Sequence, residues 1–254
     1  MYVSILTYFC IALVGVFSKS IRIMGGNNAD IKEFPFLVSL TYIDDNKHTC
    51  GGAIISNYHI LTAAHCLFNK HTDNDYLVIY SGSTSLKIRS GYEYRLKQIF
   101  IHPEFNGNKL KEMMNRHDIA IIEVEGFIEF NEYQQKARLP TENVYASTIA
   151  TIAGWGLLDF PSIYYPEKLQ KTSLKILDNS ICRKKLPFNI HEDQLCAFEK
   201  IGVGVCVGDS GGPLILNGEV IGVISIGLPC GQGIPDVFTK VYSYLDFIRS
   251  IIGN

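Results

Sequence analysis

The chain has 254 residues, 47% of them apolar and 19% charged, with 23 Lys+Arg against 25 Asp+Glu for a formal net charge of −2. Those proportions are globular and exclude a disordered or fibrous chain, and the length suffices for one large domain or two small ones with full cores. No long basic run is present, which argues against nucleic acid as a partner.

Ile5 to Phe17 is an apolar run of 13 residues, short of the about 20 that a bilayer-spanning helix needs. Followed by Ser18 and Ser20, it reads as a secretory signal peptide over residues 1–20. No other stretch looks membrane-spanning, so a secreted, extracellular protein with no membrane partner is expected. Runs rich in Val, Ile, Thr, Tyr and Phe then recur between turn residues and predict strands. They are Phe36–Ile43, Gly52–Ser56, His59–Thr62, Leu77–Tyr80, Tyr94–Ile101, Ile119–Val124, Ser147–Ala153, Leu169–Ile176, Pro213–Leu216, Val220–Ser225 and Asp236–Val241. Asn217-Gly218 predicts a tight hairpin turn between two of them. Asp178-Asn179-Ser180 predicts a capped helix through Lys185, stopped by Pro187. Tyr242 to Ile252 places Leu245, Ile248 and Ile252 on one helical face. The expected fold class is therefore all-β, antiparallel barrels or a sandwich with a terminal helix.

Beyond the leader stand six cysteines, Cys50, Cys66, Cys182, Cys196, Cys206 and Cys230. An even count in a secreted chain predicts three disulfides, with about 15 pairings open. No CxxC or HxxxH spacing marks a zinc site. Neither a metal nor another cofactor is expected.

Three separated segments carry chemistry. Gly208-Asp209-Ser210-Gly211-Gly212 can present a serine hydroxyl on a tight turn, but such a hydroxyl is a weak nucleophile without a base. Thr62-Ala63-Ala64-His65-Cys66 offers that base. His117-Asp118-Ile119-Ala120 puts an acid at the head of an apolar run, where a buried carboxylate could fix the imidazole tautomer.

These segments, with Ile23-Met24-Gly25-Gly26 near the start and Gly154-Trp155-Gly156 in the middle, resemble the chymotrypsin/trypsin family of serine endopeptidases from Ile23 to the terminal helix. Three disulfides without extras resemble the secreted proteases of insects and other arthropods. The resemblance implies two six-stranded antiparallel β-barrels with a C-terminal α-helix and the site between them, the peptidase domain being residues 23–254. It makes His65 the general base, Asp118 its orienting partner, Ser210 the nucleophile, and the N–H groups of Gly208 and Ser210 the oxyanion hole. Ser225 supports Asp118. The implied disulfides are Cys50–Cys66, Cys182–Cys196 and Cys206–Cys230. Residues 21–22 become a short activation peptide, with cleavage after Arg22 freeing an Ile23 amine to pair with Asp209. The implied partners are protein or peptide substrates, an activating trypsin-like protease and protein protease inhibitors, and the implied state is a monomeric zymogen.

Specificity rests on departures from the family pattern. Gly204 stands at the pocket floor, where trypsin-like members carry Asp. Asp236 stands where a glycine usually lines the same pocket, and the competing reading makes it a solvated turn residue. Gly227 is expected to keep the pocket mouth open to large side chains. A chymotrypsin-like or mixed preference follows. The competing function is a non-catalytic homologue that binds partners through the same fold. His48, His59, His71, His102, His117 and His191 are read as surface or loop residues, with His117 pointing away from Asp118 along the extended chain.

Overall fold

The computed structural model describes residues 25–68, 76–87, 91–107, 116–159, 163–227 and 230–253. The leader, Arg22, Ile23 and His71 lie outside the described residues. Among the described residues, no helix is long and apolar enough to cross a membrane.

A two-residue strand β1 (Asn27–Asn28) precedes a six-stranded barrel of β2 (Leu37–Tyr42), β3 (His48–Ile54), β4 (His59–Thr62), β5 (Leu77–Ser81), β6 (Tyr92–Ile101) and β7 (Ala120–Val124), closed in the order β2-β3-β4-β7-β6-β5. The second half holds β8 (Ile149–Gly154), β9 (Gln170–Leu177), β10 (Gln194–Phe198), β11 (Pro213–Leu216), β12 (Glu219–Ile226) and β13 (Asp236–Lys240). Its order is β9-β10-β13-β12-β11-β8, and β8 pairs back onto β9 to close a second six-stranded barrel, with β1 added alongside β9. All of these named pairings are antiparallel.

Leu37, Leu40, Ile54, Ile60, Leu77, Ile79 and Ile121 fill the first barrel without exposure. Leu174, Ile152, Leu214, Ile224 and Phe238 fill the second. The first cluster continues through Trp155, Val220 and Val223 of the second half, so one apolar seam joins the barrels. Burying each such side chain is worth roughly 1.5–3 kcal/mol.

Helix α1 (Asn179–Lys185) begins where expected: Asp178 accepts from Ser180 N at 2.8 Å and caps it. Helix α2 (Leu245–Ile252) starts three residues later than the periodicity suggests, because Val241–Tyr244 form a 3-10 turn first. Leu245 and Ile248 are its buried face. Asn217 (φ 50°) and Gly218 (φ 78°) both adopt the left-handed backbone of the two-residue hairpin turn linking β11 to β12.

Two sequence expectations fall short. β3 starts at His48, four residues before the expected Gly52. Gly51 and Gly52 lie within this strand at a close approach. A β-carbon on Gly52 would stand 2.9 Å from Ile60 and 3.0 Å from Leu61 O and Val38, and one on Gly51 would stand 3.0 Å from Gly212. β10 was not expected at all. It lies between β9 and β13 with four consecutive buried residues, so it lacks the in-out alternation that marks a half-exposed strand.

Candidate active site

The three implied disulfides are all present, Cys50–Cys66, Cys182–Cys196 and Cys206–Cys230. The first ties β3 to the 3-10 turn Ala64–Cys66 that follows β4, and that turn carries His65. The last ties the segment before Ser210 to the segment after β12.

Asp118 has no exposed side-chain surface and sits just before β7. Its Oδ1 accepts from His65 N at 2.8 Å. Its Oδ2 accepts from Ser225 Oγ at 2.6 Å and lies 2.7 Å from His65 Nδ1. A carboxylate can only accept, so Nδ1 carries the proton and the lone pair of the neutral ring is on Nε2. Thr239 Oγ1 donates to the Asp118 carbonyl at 2.8 Å. β12 and β13 of the second barrel therefore fix an acid belonging to the first.

Ser210 is half-buried on the turn between Cys206 and β11. That turn is closed by Asp209 N to Cys206 O at 3.1 Å and Gly212 N to Asp209 O at 3.0 Å. It docks on the first barrel through Gly51 N to Ser210 O at 2.7 Å. Gly211 (φ 78°) leaves no room for a β-carbon, which would collide with Thr62 Oγ1 and stand 3.2 Å from Ala63 N. The serine turn thus packs on the two residues leading to Ala64 and His65. No hydrogen bond joins the Ser210 hydroxyl to His65, a contact that often tightens only with substrate present. The N–H groups of Gly208 and Ser210 have no acceptor among the described residues.

Asp209 is 2% exposed. Oδ1 accepts from Gly156 N at 2.8 Å and Oδ2 from Cys206 N at 3.0 Å. Burial pushes its pKa up to about 6, against the pull of those two backbone donors. This explains Gly154-Trp155-Gly156: a β-carbon on either glycine would collide with the Asp209 carboxyl.

His48 requires a correction. It is 4% exposed, not a surface residue. Its Nε2 donates to Gly208 O at 2.9 Å, which makes Nδ1 the acceptor for Ser39 Oγ at 2.7 Å. Burial pushes its pKa down to about 4, so the ring is neutral. It clamps Gly208, whose φ of 99° suits glycine alone. A signal was available: His48 and Cys50 alternate along β3, and Thr41, its register partner, is buried and polar. A cavity of about 640 Å³ is lined by Lys47, His48, Lys87, Trp155 and Tyr165, and neither His65 nor Ser210 lines it. His59 is bonded to Ser56 and His191 is half-buried, while His117 bonds Tyr244 from left-handed backbone (φ 55°) and not from the extended chain expected.

Asp236 is also not a solvated turn residue. It opens β13, is 4% exposed, and accepts from Val205 N at 3.0 Å. Desolvation pushes its pKa up to about 8, with the Val205 N–H opposing and nearby Asp209 reinforcing. It lies beside Gly204, on which a β-carbon would stand 2.7 Å from Asp236 Oδ2, and 3.7 Å from one on Gly227. Sequence reasoning did not single out Val205. That residue is 1% exposed, and its Cγ2 would stand 2.5 Å from a β-carbon on Gly227, so a methyl group lies against the glycine expected to leave open space.

Comparisons with known proteins agree with this geometry. The family described as Trypsin matches residues 23–248. Chymotrypsin-2 of the hornet Vespa crabro is 36% identical over 228 residues, spanning 89% of this chain and 98% of the hornet protein. Trypsin I-P1 of Gallus gallus is 31% identical, spanning 92% of this chain and 90% of its own. Among solved structures, neuropsin, a serine protease expressed in the limbic system of mouse brain, superposes with a TM-score of 0.80 at 27% identity, covering 89% of this chain and 97% of that one. Twin closed barrels, a buried Asp118 bonded to His65, and these matches together place the chain in the trypsin family, as a serine endopeptidase.

Proposed function

We propose that Ser210, His65 and Asp118 hydrolyse peptide bonds through an acyl-enzyme. The observation that carries the reading is the Asp118–His65 pair, which fixes the proton on Nδ1 and leaves the lone pair of the neutral ring on Nε2. His65 Nε2 takes the Ser210 proton as Oγ attacks the scissile carbonyl. The carbonyl π electrons move to oxygen, and the N–H groups of Gly208 and Ser210 receive that oxyanion. Each such donor is worth about 2.7–4 kcal/mol of barrier. The imidazolium then gives its proton to the leaving amine as the C–N bond breaks. Water, deprotonated by the same ring, releases the acyl group. His48 holds Gly208 for this task without touching substrate.

The chain is read as a secreted zymogen: residues 1–20 direct export, and an activating trypsin-like protease cleaves after Arg22. The new Ile23 amine then pairs with Asp209. The Asp209 carboxylate has only two backbone donors among the described residues and is held near pH 6 by burial, so a cationic partner would favour its charged form. Specificity follows from Gly204, Val205, Gly227 and Asp236. Near neutral pH the Asp236 carboxyl is mostly protonated, which suits apolar side chains at the cleavage site. Above about pH 8 it ionises and attracts Lys or Arg.

The test is Ser210→Ala in the processed enzyme, alongside Arg22→Gln in the precursor. Loss of turnover with retained folding supports the mechanism, whereas substantial hydrolysis by folded Ser210→Ala sinks it. An Arg22→Gln precursor as active as the processed enzyme would overturn the zymogen reading.

A further inference from the structure

His102, Glu104 and His117 form a cluster that hydrolysis does not use. Each offers one ligand atom, and the three atoms lie within 4.8 Å of one another. The other such trio among the described residues, Cys50, His65 and Cys66, is ruled out because its sulfurs form a disulfide.

The hydrogen bonds around His117 set its tautomer. Tyr244 OH donates to Asp193 Oδ2 at 3.0 Å, so toward His117 Nδ1, also at 3.0 Å, it can only accept. Nδ1 therefore carries a proton. The lone pair of the neutral ring is on Nε2, 3.1 Å from Glu104 Oε2. Two acceptors at that distance repel unless a cation lies between them, and the candidates are a proton or a metal ion. With Zn–N and Zn–O bonds of about 2.0–2.2 Å, a tetrahedral edge is about 3.3–3.5 Å, close to the observed gap. Behind His117 runs the chain Tyr244–Asp193–Arg116, with Arg116 donating to Asp193 at 3.0 Å. A hydrogen-bonded carboxylate behind a histidine is the arrangement that orients ligating imidazoles. His102 stacks on His117 with ring centroids 5.0 Å apart. To ligate, it must turn from face-on to edge-on. It is half-buried, and its Nδ1 is held only by a 3.3 Å contact from Glu104 N. Glu104, 69% exposed, can follow.

We propose that His102, Glu104 and His117 bind one divalent transition metal of the zinc class, with water completing a tetrahedron. Imidazole and carboxylate donors suit Zn²⁺, Cu²⁺ and Ni²⁺. The site borders the catalytic acid in sequence, since Asp118 follows His117 and Ile119 N bonds back to His117 O at 2.8 Å.

The experiment is titration of the processed full chain with Zn²⁺ at neutral pH by calorimetry, repeated on His102→Ala, Glu104→Ala and His65→Ala. Co²⁺ is used in parallel to read its tetrahedral absorption. His102 and Glu104 lie outside the hydrolytic machinery, so metal-free activity of those two variants reports their folding. One Zn²⁺ per chain is expected, with affinity weakened at least about tenfold in His102→Ala and in Glu104→Ala, unchanged in His65→Ala, and a Co²⁺ band that follows the same pattern. Absence of saturable binding overturns the proposal. So does affinity unchanged in both ligand variants, which would leave a proton between His117 and Glu104, and so does binding lost only in His65→Ala.

Discussion

Asp118, held from the second barrel, and Asp236, within it, are both buried acids, yet their surroundings differ. Asp118 meets at least three donors, from His65 twice and Ser225 once. Asp236 meets the single N–H of Val205. A buried carboxylate stays charged when donors replace the water it has lost, and otherwise takes up a proton. Asp118 is thus surrounded by donors that hold it against an imidazole. Asp236, with fewer donors, has its pKa pushed up to about 8 by burial.

The largest effect should come from reversing the first arrangement. Asp118→Asn keeps the shape but presents an amide N–H to His65 Nδ1, so the proton moves to Nε2 and the base is lost. Steady-state kinetics should show kcat lower by about 10⁴-fold near neutral pH. A loss below tenfold would mean the pair does not set the tautomer.

Removing the second acid should be milder and selective. Asp236→Gly is expected to lower kcat/KM on Arg and Lys substrates by about tenfold or more, the worth of one charge-assisted hydrogen bond of about 1.5–3 kcal/mol, while sparing Phe and Leu. In the unmodified enzyme, the Arg-to-Phe ratio of kcat/KM should rise as pH climbs through about 8. Equal loss on both substrate classes would make Asp236 structural, and a ratio flat with pH would place its side chain outside the pocket.

Val205 sharpens the same contrast, because it supplies both the lone donor to Asp236 and the methyl group against Gly227. Val205→Ala keeps the N–H and removes the methyls. Peptide-library profiling should then show a gain of about tenfold for Phe and Tyr relative to small residues, since a methylene in a pocket is worth about 1–3 kcal/mol.

A separate effect concerns stability. Asp236 has a folded pKa raised from 3.8 to about 8, so the folded state binds more protons than the unfolded state between those values. Stability from this group therefore falls as pH rises from about 4 to about 8 and levels off above. Denaturant titrations should show Asp236→Asn losing less stability across that window than the parent protein.

The candidate site was legible because each of its parts sits in a short segment with a local reason for its residues. The glycines flanking Ser210, the acid heading β7 and the Asp178 cap are signals a few residues long. The same holds for Asn217-Gly218, where two positive φ angles dictate the turn. What stayed hidden depends on contacts between distant segments. His48 is a core residue only because Ser39 and Gly208 come to it from nine and 160 positions away. Val205 meets Gly227 through the meeting of two loops joined by Cys206–Cys230. β10 is masked by burial on both faces, which erases the periodicity a strand normally shows.

The central claim, that Ser210 is activated by His65 and Asp118, is tested most directly by covalent labelling with a fluorophosphonate followed by peptide mapping. The account predicts one adduct on Ser210 of the processed enzyme, absent in Ser210→Ala and slowed by orders of magnitude in His65→Ala. A folded, processed enzyme that takes up no label at Ser210, or that labels equally fast without His65, would contradict it.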